Sequence, residues 1–187
     1  MIPGAEALRL DAAGWLAGCR RVASPNHDER PAGGEITLLV LHSISLPPGE
    51  YGGDAIERLF TNRLEPGAHP YFRDIAALEV SAHFLVRRDG ELVQFVAVSR
   101  RAWHAGRSRW RGRERCNDFS VGVELEGTDR GPFSAAQYRA LARLTRALRA
   151  ALPLRHCAAH SDVAPGRKTD PGAGFDWRRC LSLLSRP

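Results

Sequence analysis

Four residues in this sequence have the types and spacing of a hydrolytic metal site. His42 follows the apolar run ITLLVL at residues 36–41, and His160 follows a short stretch at residues 155–159. Both positions are ends of candidate strands feeding loops, where α/β proteins place their sites. Beyond His160, Pro165-Gly166 turns the chain back, and Lys168 and Asp170 stand at i and i+2. In an extended segment those two side chains share one side. Two histidines and a carboxylate are a common catalytic zinc set that leaves one coordination position open. Zinc has no redox chemistry, so the set points to hydrolysis by Lewis-acid assistance. A nearby lysine offers a compact ammonium for a developing oxyanion. The same residues also fit a plainer arrangement, with His42 and His160 as hydrogen-bonded core histidines and Asp170 as a turn cap before Pro171.

Glu124 lies inside a second apolar run, VGVEL at residues 121–125. A carboxylate there is costly unless paired or used. Alternation sets it opposite Val121, Val123 and Leu125 and on the face of Gly122, a small neighbour that leaves room for a ligand. The alternative is an edge-strand glutamate facing water. Glu126 has the weaker claim. Trp103-His104 forms an aromatic–imidazole pair in a loop, suited to lining a pocket or stacking on a sugar ring, or else to packing over the sheet edge. His83 reads as a structural histidine.

The elements that must carry these residues follow from the pattern. Strands are expected at 36–41, 121–125 and 155–159. Short helices are expected at 54–60 and 71–78. Arg88-Asp89-Gly90-Glu91 separates two apolar segments as a hairpin turn. Ser134 and Gln137 form a capping box opening a helix that Pro153 stops. Asp176 caps a last helix at 177–184. Residues 43–53, 100–118 and 161–174 read as loops. The expected fold is α/β, one domain over residues 1–187, with a mixed central sheet flanked by helices.

Composition limits the partners. The 187 residues are 43% hydrophobic and 26% charged, ordinary for a globular domain. No apolar run is long enough to span a membrane. The N-terminal stretch lacks the pattern of a secretory signal. The four cysteines are widely spaced, which favours free thiols and a cytoplasmic setting. The net charge of +6 raises nucleic acid as a partner. However, the cations are spread along the chain and no nucleic-acid motif is present, so no nucleic-acid or membrane partner is expected. The densest run, residues 107–115, suits a solvated surface or a loop that meets an anionic small molecule. Of the 27 basic residues, Lys168 is the one lysine.

Taken in order, HSISLPPGEYGG, HPYF, VSAHFLVRRDGELVQFV, RAWHAG, GRERCNDFSVGVELEGTD and HSDVAPGRKTDPGAGFDW resemble the AmpD family over about residues 15–180. These are cytoplasmic 1,6-anhydro-N-acetylmuramyl-L-alanine amidases with a peptidoglycan-recognition-type fold. The resemblance implies a zinc (Zn2+) enzyme of peptidoglycan recycling, linked to β-lactamase regulation, with an anhydro-muropeptide as small-molecule substrate. Matched by motif, it makes His42, His160 and Asp170 the metal ligands, Glu124 the catalytic base and Lys168 the catalytic lysine. More distant amidases of this fold carry Tyr before the hairpin histidine and Cys as third ligand. Here those positions are Ala82 and Asp170, which favours the AmpD branch. Ser43 departs from the Asn usual after the first ligand and still offers a donor and an acceptor. Arg115, just before the Glu124 strand, and Trp103 are candidates for contacting substrate. A secreted or phage-type amidase acting on intact wall, and a non-catalytic muropeptide-binding module, are the alternatives.

Overall fold

The structure, a computed structural model, describes residues 8–184, so residues 1–7 and 185–187 of the expected domain and the start of the N-terminal stretch lie outside it. Ten strands are present among the described residues: β1 (Arg20–Arg21), β2 (His27–Asp28), β3 (Leu38–Ile44), β4 (Phe84–Val86), β5 (Leu92–Gln94), β6 (Arg101–Ala102), β7 (Arg109–Trp110), β8 (Arg113–Glu114), β9 (Ser120–Glu126) and β10 (His156–Ala159). The α-helices are α1 (Ala55–Phe60), α2 (Phe72–Ile75), α3 (Ala135–Ala151), α4 (His160–Val163) and α5 (Trp177–Leu184).

Six strands form the central sheet in the order β1-β5-β4-β9-β3-β10. Only β4 and β5, the predicted hairpin, pair antiparallel; the other neighbours are parallel. β9 and β3 lie inside the sheet and are covered on both faces, which is why they read as nearly unbroken apolar runs.

One face of the sheet packs Leu39, Leu41, Val121, Val123 and Leu125 against α3 and α5. Helix α3 opens with the predicted box: Gln137 N donates to Ser134 Oγ at 3.1 Å, and Ser134 N to Gln137 Oε1 at 3.0 Å. The other face carries two separate apolar clusters. Leu85, Val93 and Phe95 pack with Ile56, Leu59 and Phe60 toward one end. Leu38, Val40 and Ala158 pack with Ala105, Cys116 and Phe119 toward the other. Along β3, Val40 belongs to the second cluster and Ile44 packs on the first. His42 lies between them on the same face, in a gap floored by the sheet and walled by apolar side chains.

Several boundaries differ from the sequence reading. β3 runs on through His42 to Ile44, because β9 pairs with it over that whole length. Helix α2 keeps only Phe72–Ile75 of the expected 71–78 segment. The Arg-rich stretch at 100–118 is not one loop: it holds β6, the β7–β8 hairpin and a 3-10 turn at Cys116–Phe119. Its strands are two residues long and charged side chains fall on both faces of the hairpin, so no alternation marks them. His160 does not lead into loop either; it starts the single turn α4.

Candidate metal centre and active site

Parallel pairing of β3 with β9 sets His42 directly beside Glu124. β10, on the other side of β3, ends at Ala159, so His160 emerges next to His42. The chain then returns, and the Ser161 amide donates to the Asp170 carbonyl at 3.0 Å, which brings Asp170 back to His160. Lys168 and Asp170 line the same cavity, while Thr169 between them turns the other way and donates to Asp129. The i, i+2 expectation thus holds locally, although the segment is not a strand.

Three donor atoms meet at one point. His42 Nδ1 and His160 Nδ1 are 2.9 Å apart, and Asp170 Oδ2 lies 3.0 Å from His160 Nδ1 and 3.3 Å from His42 Nδ1. The face of a tetrahedron with bonds of about 2.0–2.1 Å has edges of about 3.3–3.4 Å, so the triangle is close to that of a zinc site. Both histidines are buried. Burial pulls the His42 pKa down to about 4, against the raising effect of Asp170, so the ring is neutral at pH 7. Burial alone pushes Asp170 up, but the close His160 and His42 rings hold it below the usual carboxylate range. Two imidazoles and one carboxylate form a donor set that fits zinc, and among the described residues they are the one such His/Cys/Asp/Glu group.

Glu124 is not an edge residue, since β9 lies between β4 and β3. Its Oε2 is buried without a hydrogen-bond partner. Burial, reinforced by Asp170 and opposed by Lys168, raises its pKa well above the ordinary value. An unpartnered buried carboxylate oxygen costs stability, and such groups cluster where chemistry uses them. Glu126 differs: its carboxylate is filled by the Gly52 and Arg88 amides and the Arg87 guanidinium, a structural knot.

The cavity, about 420 Å³, is lined by His42, Ser43, Trp103, Glu124, His160, Lys168 and Asp170 among others. It is bounded on one side by Leu59, Phe60, Ile75 and Leu78, so an apolar wall faces the polar cluster. Ser43 spends its hydroxyl proton on Asp129 Oδ1 at 3.0 Å. Arg115 does not line this cavity. It is exposed, pairs with Asp118 at 3.3 Å, and borders a neighbouring cavity of about 260 Å³ that shares Trp103. The room beside Glu124 that Gly122 was read to leave for a ligand is taken by the His104 ring, whose Cγ would lie 2.4 Å from a Cβ at position 122.

Two residues carry more of the site than their sequence contexts suggested. His104 lies with Nδ1 3.0 Å from His42 Nε2. Asp129 joins Ser43 to the loop bearing Lys168 and Asp170. A glycine inside an apolar strand is a signal of close approach, and Gly122 was such a signal for His104. Nothing local marked Asp129. His83 is buried and accepts from the Gly122 amide at 3.0 Å, a structural role.

Comparison with known proteins gives one answer. Residues 32–173 match the family described as N-acetylmuramoyl-L-alanine amidase. The chain is 57% identical to the 1,6-anhydro-N-acetylmuramyl-L-alanine amidase AmpD of Escherichia coli (strain K12), over 92% of this chain and 96% of that protein. Among solved structures, the crystal structure of a selenomethionine derivative of AmpD superposes with a TM-score of 0.91 at 56% identity, covering 94% of this chain and 99% of the other. The amidase AmiD from E. coli, solved with anhydro-N-acetylmuramic acid-L-Ala-D-γ-Glu-L-Lys, gives a TM-score of 0.59 at 26% identity, covering 96% of this chain and 66% of that one.

Proposed function

This chain belongs to the N-acetylmuramoyl-L-alanine amidase family, and from that premise we propose how its residues do the work and on which substrate. It is an amidase that cleaves the bond between the lactyl group of 1,6-anhydro-N-acetylmuramic acid and the L-alanine of the stem peptide. The observation that carries the reading is the convergence of His42 Nδ1, His160 Nδ1 and Asp170 Oδ2 beside the unpartnered Glu124 oxygen, inside one cavity.

His42, His160 and Asp170 hold zinc in this proposal. When bound, zinc supplies Lewis-acid polarisation of the scissile carbonyl and makes water more acidic at the open position. Glu124 takes a proton from the attacking water as general base. Its buried, unpartnered oxygen has no competing donor to give up first. The Lys168 ammonium, on the same cavity wall as Asp170, stabilises the charge that develops on the carbonyl oxygen. Glu124 then returns its proton to the departing alanine amine, so the residue ends as it began. Trp103 presents an aromatic face on the cavity wall for sugar or peptide, and Ser43 offers its remaining lone pairs. Arg115 lies one cavity away, within the reach of a longer stem peptide carrying carboxylates.

The four cysteines Cys19, Cys116, Cys157 and Cys180 are all free thiols, which supports a reducing cytoplasmic compartment and hence recycling of soluble muropeptides. No described helix is long and apolar enough to cross a membrane. The test is mass spectrometry of products from a defined anhydro-muropeptide and from intact sacculi, with and without chelator. Free peptide and anhydro-N-acetylmuramic acid, lost on chelation and restored by zinc, are expected from the soluble substrate. Preferential release from sacculi, or release indifferent to chelator, overturns the proposal.

A further inference from the structure

The segment at residues 103–106 contributes no metal ligand, yet it touches the outer nitrogen of both histidines that do. The half-buried His104 ring packs against β9, and Gly122 is glycine at the point where the ring crosses the strand. From there a chain of polar contacts runs outward, and its direction is fixed at its far end. The Cys116 carbonyl oxygen can only accept, and it lies 2.6 Å from Ser120 Oγ. The Ser120 proton is committed there, so Ser120 presents a lone pair to His104 Nε2 at 3.2 Å. His104 therefore carries its ring proton on Nε2, and Nδ1 is a bare acceptor. That acceptor faces His42 Nε2 at 3.0 Å. His42 donates there, which leaves His42 Nδ1 bare and directed at His160 and Asp170.

The next residue treats the second histidine in the same way. The Ala105 carbonyl oxygen lies 3.3 Å from His160 Nε2 and is also held by Arg167 at 2.6 Å. Only an N–H can meet a carbonyl, so this contact calls for the proton on His160 Nε2, which leaves Nδ1 as the nitrogen that can take the ion. The Ala105 amide is itself anchored on Asn117 Oδ1 at 2.8 Å. Metal-bound histidines generally donate their second nitrogen to such a partner, which fixes ring and tautomer. Here a single short segment does it for both.

We propose that His104 is a positioning residue for the metal: its ring, with the Ala105 carbonyl, sets the tautomers of His42 and His160 so that both Nδ1 lone pairs face the ion. Without that segment each ring is free to place its proton on the nitrogen that must ligate. Ser120 is the outermost member of the device and sets its polarity. This inference rests on the zinc reading given above.

The test uses the zinc-loaded protein and two readouts. Nitrogen-15 NMR of the histidine rings reports tautomers directly, and His104 is expected as the Nε2–H form. Competition with a chelator reports zinc affinity, which His104→Leu is expected to lower about 10–100-fold. His104→Asn, whose Oδ1 can take the place of Nδ1, is expected to stay within a few-fold of wild type. A His104 proton found on Nδ1 overturns the proposal, as does wild-type zinc affinity in His104→Leu. If His104→Leu does not fold, the wild-type tautomer and the Asn variant still decide. A wild-type protein that binds no zinc would instead remove the zinc reading itself, a distinct outcome.

Discussion

Ser43, near the end of β3, is joined to Asp129 in the loop after β9: the serine hydroxyl donates to Asp129 Oδ1 at 3.0 Å. The other oxygen of that carboxylate accepts from Thr169, which stands between Lys168 and Asp170. The Gly174 amide donates to the Asp129 carbonyl at 2.9 Å, and a Cβ on Gly172 would lie 2.3 Å from Asp129 Cα. Asp129 is thus the post to which the loop carrying the lysine and the third candidate ligand is tied. The position after His42 is serine, and its short hydroxyl makes that tie.

Asp129→Ala removes both side-chain bonds and leaves Ser43 and Thr169 to find water. A loss of about 1–3 kcal/mol in stability is expected. Zinc affinity and kcat are expected to fall together, because the loop that positions Asp170 and Lys168 is loosened. Urea unfolding, chelator competition and turnover on an anhydro-muropeptide measure the three quantities. Loss of stability with full kcat and full zinc affinity would show that the loop is held by other means.

Glu124→Gln keeps the shape of the side chain and removes its basicity. A fall in kcat of about 10²–10⁴ is expected, with zinc retained, since Glu124 is not part of the ligand triangle. The variant should be no less stable than wild type, because a neutral amide replaces a carboxylate with an unpartnered buried oxygen. Zinc content, melting temperature and kcat are measured on the same preparation. Turnover near the wild-type rate takes Glu124 out of the proton transfer.

The lone lysine makes a separable claim. Lys168 is exposed and lines the cavity wall, so its replacement leaves the core untouched. Lys168→Ala is expected to cost about 10²–10³ in kcat, the range for losing one oxyanion donor. Lys168→Arg keeps the charge but spreads it over a planar fork, and it is expected to recover only part of that loss. An arginine enzyme as fast as wild type would mean that charge alone is needed at this position.

What the sequence made legible has a physical pattern. His42, His160, Lys168 and Asp170 were visible because each follows a feature with a local cause: an apolar strand, or a Pro-Gly turn. The capping box at Ser134 and Gln137 is likewise local, and it appears as expected. Pairing is not local. That His42 lies beside Glu124 depends on β3 and β9 being neighbours, although 82 positions separate the two residues and a hairpin lies between them in sequence. His104 needed that pairing too, because its ring sits where β9 carries Gly122. The hairpin at Arg109–Glu114 was invisible for another reason: arginines on both faces erase the alternation by which a half-buried strand is recognised.

His83 gives a pH dependence of stability that is separate from the proposed metal ligands. The ring is buried between strands, accepts from the Gly122 amide, and has the Arg30 guanidinium 3.0 Å away. Burial first, and then Arg30, hold its pKa well below the ordinary 6.5. The unfolded chain therefore takes up a proton at this position as pH falls below about 6.5, while the folded protein does not. The folded state binds fewer protons, so this residue's contribution to stability declines as pH drops from about 6.5 toward 5. Carboxylates with depressed values, such as Asp28 and Glu57, contribute the same sign only at lower pH, nearer their own range. His83→Gln keeps an acceptor and cannot titrate. The stability gap between wild type and His83→Gln, measured by urea unfolding of the zinc-loaded proteins, should narrow as pH falls from 7.5 to 5. Zinc and the other histidines act on both proteins alike, so the change in the gap isolates His83. A gap that stays constant across that window would mean that the buried ring is protonated as readily in the folded protein as in the unfolded chain.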